Sequence, residues 1–268
     1  DPEREYSQLV KALGGEVIHI SATSSNHINA MDMTKEYGDG ANPVILKSEF
    51  IMSLCEQLIG GSNLGAKQKS IIDRCTASVY RTYQQNNYQG EVPTLQDFRA
   101  ELLKQNEPEA QEIALAIELF TNGSLNTFAK HTNVDTNNRL LCYDILDLGK
   151  QLMPIGMLVV LDSILNRITQ NRAKGKNTFI FIDEIYLLFQ HEYSANFLFT
   201  LWKRVRKYGA YATGITQNVD DLLQSHTART MLANSEFIVM LNQASTDRLE
   251  LALSLIHISE PTRHAQIS

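Results

Sequence analysis

In FIFIDEIYLLF (residues 179–189) two adjacent carboxylates, Asp183 and Glu184, stand where one apolar run ends and another begins. A charge at the edge of a core costs free energy unless it has a partner or a task. The run before them reads as a short strand, apolar on both faces, which suits a central strand of a parallel sheet. In open parallel sheets ligands bind beyond the carboxyl ends of the strands. An acid at that end can hold a magnesium ion through water, and the acid after it can polarise an attacking water, as nucleotide hydrolysis requires. The plainer alternative is a strand that ends in two solvated acids.

A second segment, GITQN, places Gln217 at the end of the next apolar strand. If the two strands are neighbours, Gln217 stands beside the acids and can sense a terminal phosphate or orient water; otherwise it is an ordinary polar residue at a helix start. Between the strands, LWKRVRKYG carries Lys203, Arg204, Arg206 and Lys207. Cations at a helix C-terminus complement its dipole. They could also supply an arginine finger, a guanidinium that reaches into a neighbouring subunit's site. Trp202, on the same helix, reads as packing. His19 and His27 have no metal-ligand spacing. Tyr80, Tyr83 and Tyr88 fall near helical spacing and read as core or subunit packing before base stacking.

These residues need a scaffold. EVIHI (16–20) alternates as a strand, and the segment 44–130 has helical periodicity, with breaks at GGSNLG and with Thr94 and Pro108 at helix starts. Strands follow at 139–145, 178–183, 210–215 and 237–241, separated by helices at 147–171, 195–208 and 229–235. Strand–helix–strand alternation with short links predicts right-handed crossovers and a parallel sheet. At 268 residues with 43% hydrophobic and 20% charged side chains, the chain can bury a core and is not a disordered type. The net charge of -6 provides no overall basic signature for nucleic acid. Cys55, Cys75 and Cys142 sit among apolar neighbours and read as reduced core residues of a cytosolic protein. No apolar run is expected to approach the roughly 20 residues of a membrane span, and no signal peptide is recognised.

Together FIFIDEIYLLF, LWKRVRKYG, TGITQNVDDLL, DPEREYSQLVKALGGEVIHIS and RLLCYDILDLGKQLMPIGMLVVLDSILNRI resemble the VirB/TraE-type ATPases of type IV secretion and conjugative transfer, over about residues 1–252. The nearest likeness within that family is to the TraE-like ATPases of Gram-positive mobile elements. The resemblance implies an α/β fold: a RecA-like P-loop NTPase core with a parallel sheet and an inserted all-helical subdomain. It divides the chain into a first part of the core (1–43), a helical subdomain (44–135), the remaining core (136–252) and a terminal stretch (253–268). It implies ATP and Mg2+ as cofactors, with Asp183 and Glu184 as the Walker B pair and Asp183 as the magnesium ligand through water. Arg206 matches the arginine of the family's RK motif, Arg204 is the second choice, and Gln217 matches the glutamine of the following motif. Asp1 and Glu3 match the end of a strand near the nucleotide. A homo-hexamer, other channel subunits as partners, and a place at the cytoplasmic face of the membrane through those partners follow from the same likeness.

Two departures stand out. The phosphate-binding motif GxxxxGK[ST] does not occur. Gly60 to Lys67 has one residue too many and links two helices, and Gly175 to Thr178 lacks the first glycine and leads into a strand. In the family the loop lies upstream of the DPE segment, so this chain is expected to begin after it and to be inactive alone. From Leu253 the sequence LSLIHISEPTR resembles the translation of a sequencing adaptor, so 253–268 is expected to be foreign. A DNA-translocating motor of the HerA/FtsK or coupling-protein kind, and a scaffold relative without activity, remain open at this stage. DNA contact is possible but not indicated by charge.

Overall fold

The computed structural model describes residues 4–38, 42–60, 64–217, 219–239 and 241; Asp1 and Glu3, and the stretch 253–268, lie outside these. The chain opens with a short helix α1 (Ser7–Ala12) and strand β1 (Glu16–His19). Five helices follow in succession: α2 (Pro43–Leu58), α3 (Ala66–Gln85), α4 (Leu95–Leu103), α5 (Pro108–Ala116) and α6 (Glu118–Thr121). Strand β2 (Leu141–Asp144) then leads through a 3-10 turn into α7 (Gly149–Ala173). Strand β3 (Thr178–Ile182), α8 (Glu192–Arg204), strand β4 (Ala210–Gly214), α9 (Val219–Gln224) and α10 (His226–Ala233) complete the described order.

Local chemistry accounts for the element ends. Asn42 caps α2 by accepting from the Val44 N–H, with Pro43 in the first turn, where no amide donor is needed. At α4 the Thr94 and Asp97 side chains cap each other's backbone in a reciprocal box. Gly209 ends the 3-10 turn after α8 in the left-handed conformation that glycine adopts without strain.

The strands form two parallel pairs. β1 pairs with β2, Glu16 opposite Leu141 and His19 opposite Asp144; β3 pairs with β4, Thr178 opposite Ala210 and Ile182 opposite Gly214. One hydrophobic cluster joins Ile18 and Ile20 to the helices α2–α5 and to the first half of α7. A second joins the rest of α7 to Ile180 of β3, Ala210 of β4 and the inner face of α8. α7 therefore belongs to both. It is also apolar and long enough to cross a membrane, but 56% of its apolar window is buried inside the protein, as in a core helix.

Three expectations need correction. The segment expected as a strand at 237–241 is not a strand at 237–239 or 241: Phe237, Val239 and Leu241 are exposed, and no ladder partner is present among the described residues. A strand exists only through its partner's hydrogen bonds. β3 was expected to be covered on both faces. Ile180 is buried, but Phe179 and Phe181 are exposed, Phe179 stacking on Tyr211 with ring centroids 5.1 Å apart. Finally, no apolar run was expected to approach the length of a membrane span, whereas α7 is by length and composition apolar enough for one, its polar residues being spread along a mostly apolar helix.

The tyrosines and cysteines behave as packing residues. The Tyr80 hydroxyl donates to the Met31 carbonyl and Tyr83 to Met33 at 3.0 Å, both rings buried. All three cysteines are buried and none is in a disulfide, and burial pushes the Cys55 thiol up to about 12 and the Cys75 thiol up to about 11.

Candidate active site

The β3–β4 register decides what meets at the carboxyl end of the sheet. Asp183 follows Ile182, whose partner is Gly214. The pairing continues past the strands: the Ile215 N–H donates to the Ile182 carbonyl at 2.8 Å, and the Ile185 N–H donates to the Ile215 carbonyl at 3.0 Å. The two chains thus leave the sheet side by side, one carrying Asp183 and Glu184, the other Thr216 and Gln217. The two strands are neighbours, which is the condition on which the sequence set Gln217 near the acid pair. Gly214 reflects this closeness: a Cβ there would meet Ile185 Cδ1 at 2.6 Å, so the Ile185 side chain would have to shift.

Glu184 is 7% exposed and its backbone is left-handed, with φ 44 and ψ 48. Four non-glycine residues among those described have positive φ: Arg4, Asn87, Tyr88 and Glu184. Such residues cost about 1–3 kcal/mol each and concentrate where function imposes a conformation. One of the four, Glu184, is at this end of the sheet, and Arg4 is at the ends of β1 and β2. Burial raises the Tyr6 phenol, and the negative charges of Asp183, Glu5 and Glu184 raise it further. Asp183 is half-buried.

Magnesium fits this donor set. Among the described residues no group of three or more His, Cys, Asp or Glu could cage a metal. Mg2+ is ordinarily held by one or two carboxylates together with substrate phosphates and water, not by an all-protein cage. A half-buried Asp183 beside a buried Glu184 meets that requirement.

The cations lie elsewhere. Arg204 ends α8 and is exposed; Arg206 is 88% exposed and its Nη1 pairs with Glu236 Oε1 at 2.8 Å. Both precede Ala210, at the amino end of β4. The strand's five residues separate that end from the acids by about 13 Å at 3.3 Å per residue. Neither arginine shares the acids' end of the sheet within one subunit. Lys203 covers the Phe199 ring at 3.9 Å, and Trp202 packs on the second core cluster. The two glycine-rich look-alikes are structural: Gly65 caps α3 and Lys67 pairs with Glu109 at 2.9 Å, while Gly175 is in the turn from α7 to β3.

Residues 66–268 match the family described as the TraG P-loop domain. The chain belongs to this family. Among solved structures it is similar to the structure of VirB4 of Thermoanaerobacter pseudethanolicus, at 22% identity and a TM-score of 0.78, over 97% of this chain and 73% of that one. A comparison with curated proteins finds no match. The TraG P-loop domain thus has a RecA-like α/β core, with its two parallel pairs and helices.

The sequence reading missed a group at the carboxyl ends of β1 and β2. Arg4, His19, Asp144 and Asp147 meet there. Burial would raise the Asp144 carboxyl, but hydrogen bonds from Arg4, the Leu146 N–H and His19 bring it below its ordinary value. RLLCYD ends in an acid after an apolar strand just as FIFID does, so the rule that singled out Asp183 also applied to Asp144.

Proposed function

We propose that this TraG P-loop domain is the ATP-hydrolysing motor of a type IV secretion or conjugation apparatus, and that hydrolysis takes place at the carboxyl end of β3 and β4. The observation that supports the reading is the parallel pairing of β3 and β4, continued past both strands by the Ile182–Ile215 and Ile185–Ile215 hydrogen bonds, so that the segments carrying the acid pair and Gln217 leave adjacent strands in a chain of the TraG P-loop family.

Asp183 is the residue to hold Mg2+, directly or through water. When bound, the ion neutralises charge developing on the phosphate oxygens. Glu184, buried and held in one backbone conformation, accepts a proton from the attacking water. Gln217 orients that water or reads the terminal phosphate. Arg206, at the opposite end of β4, serves a neighbouring subunit's site and not its own; Arg204 is the second choice. That arrangement favours a ring of identical subunits, for which a hexamer is our reading, working with other channel subunits at the cytoplasmic face of the membrane. The helical segment 44–135 and the core parts 1–43 and 136–252 are our division of the chain. The 268 residues contain no phosphate-loop motif, so we expect the chain alone to be inactive.

The test is Mg2+-dependent ATP hydrolysis by the full-length protein that contains this chain, compared with Glu184→Gln. Removing the base should lower kcat by about 10²–10⁴-fold while ATP binding persists. Equal hydrolysis by both proteins would refute the assignment of Glu184, and absence of both binding and hydrolysis in the parent would refute the motor reading.

A further inference from the structure

FIFIDEIYLLF carries one more residue than a regular ladder holds. The register of β3 on β4 sets Ile182 opposite Gly214, and the Ile182 carbonyl accepts from the Ile215 N–H at 2.8 Å. In a regular parallel ladder the residue two places after Ile182, which is Glu184, would then donate to the Ile215 carbonyl. The donor is instead Ile185, at 3.0 Å. Asp183 and Glu184 together thus take the place of one residue. They form a β-bulge at the carboxyl end of β3, with Glu184 in the left-handed conformation.

The bulge changes which side chain meets the core. Ile180 and Ile182 alternate onto the face that packs in the second hydrophobic cluster, and by the same period of two, position 184 would send a carboxylate there. With the extra residue Ile185 takes that place, 4% exposed within the cluster. Its side chain lies against Gly214. A Cβ on Gly214 would stand 2.6 Å from Ile185 Cδ1, but 3.4 Å from Cγ2 and 3.6 Å from Cβ, which are ordinary contacts. The fit is therefore set by one methyl group and one missing Cβ. In a close-packed interior that methyl has little room to move aside.

We propose that Gly214 is a positioning residue for Glu184, acting through Ile185. By lacking a Cβ it lets Ile185 seat against β4, so that the Ile185 N–H closes the bulge on the Ile215 carbonyl. Glu184 then keeps the backbone from which its carboxylate serves the site. This rests on reading Glu184 as the proton acceptor. A non-glycine residue keeps a left-handed backbone only where its surroundings impose it, and here the hydrogen bonds on either side of Asp183 and Glu184 impose it. Added bulk at position 214 pushes Ile185 off β4, weakens that hydrogen bond and turns Glu184. Because Glu184 is assigned to the attacking water and not to the nucleotide, the loss falls on kcat before binding.

The experiment compares Gly214→Ala, Ile185→Val and the double variant in the full-length protein that contains this chain. Three quantities are read well below each variant's Tm: kcat for Mg2+-dependent ATP hydrolysis, the Kd of a fluorescent ATP analogue with Mg2+, and hydrogen exchange of the Ile185 amide. Gly214→Ala should lower kcat about tenfold or more, because a small misplacement of a reacting group can cost about 10²-fold, while Kd stays within about threefold. It should also speed exchange at Ile185. Ile185→Val keeps the N–H and lacks only Cδ1, so its kcat should fall less. In the double variant the added and the removed methyl offset each other, and kcat and exchange should return to those of Ile185→Val. Unchanged kcat and exchange in Gly214→Ala, or a double no better than Gly214→Ala, overturns the proposal; a Gly214 that served stability alone would lower Tm and leave kcat of the folded protein unchanged. If the parent protein hydrolyses no ATP, the motor reading fails separately, and exchange at Ile185 decides the fit: faster in Gly214→Ala and restored in the double supports it, unchanged refutes it. Should Gly214→Ala not fold, the double is set against Ile185→Val: equal kcat supports the fit, and a further loss of about tenfold overturns it.

Discussion

Replacing Lys47 by methionine should cost this protein a large part of its stability, and the loss should depend on pH. Lys47 is on α2, fully buried, its Nζ 2.5 Å from Asp162 Oδ2 on α7. The Tyr37 hydroxyl donates to the other Asp162 oxygen. The Tyr37 and Phe50 rings lie 5.1 and 4.6 Å from the ammonium. Methionine fills nearly the same volume but leaves Asp162 with Tyr37 as its hydrogen-bond donor. Removing one partner of a buried pair costs about 3–5 kcal/mol. For a chain of this size each kcal/mol moves Tm by about 2–4 °C, so a fall of about 10 °C is expected at pH 8. Burial already raises the Asp162 carboxyl, with Lys47 opposing; without Lys47 it rises further. A carboxyl raised on folding favours the folded state below its unfolded pKa, and that contribution is lost as pH climbs through the folded value. The deficit of Lys47→Met should therefore shrink as pH is lowered from 8 to 5. Replacing both residues, as Lys47→Met with Asp162→Leu, should recover most of the loss, because no charge is left buried. Urea or thermal denaturation at several pH values reads all of this. A loss below about 1 kcal/mol, a pH-independent deficit, or a double variant as unstable as the sum of the singles would refute the reasoning.

Thr94→Ala removes the cap of α4 and one half of its reciprocal box; urea denaturation should show a loss of about 1 kcal/mol, and no loss would mean the box adds nothing. Asp144, held below its ordinary pKa, contributes stability above the unfolded value near 3.9 and loses it as pH falls through the folded value. The gap between the parent protein and Asp144→Asn should accordingly close in acid denaturation below about pH 4, and a constant gap would contradict the assigned ion pairs. Arg206→Ala should lose about 10³-fold or more in kcat; if the arginine serves a neighbour, mixing it with Glu184→Gln subunits should restore part of the activity, and mixtures as inactive as either variant would exclude action between subunits.

How much could be read from the chain depended on how local the signal was. Asp183 and Glu184 were visible because strand period and charge placement lie within one short segment. Thr94 and Pro108 were visible because helix starts are chemical events a few residues long. Gln217 required one non-local step, that consecutive strands joined by a helix pair in parallel, and the β3–β4 register carries it out. The Arg4, His19 and Asp144 group had no such short path: its members are up to 140 residues apart, and each alone is a polar residue near a strand end. Lys47 did leave a trace. Val44, Lys47, Ile51 and Leu54 follow one stripe of α2, and a lysine on an apolar stripe requires a buried acid or a way to solvent. The sequence offered no means of saying which acid, since Asp162 is 115 residues away. The segment 237–241 fails in the converse way. Its short apolar run is strand-like, but pattern states only what a segment can form, and a partner's ladder decides whether it does. The same limit explains β3. Its apolar residues on both faces are a demand for cover, and the sequence shows the demand without showing what answers it. The proposed function depends on the reverse of that rule, because the acids assigned to it are the ones whose partners, magnesium and phosphate, would come from outside the chain.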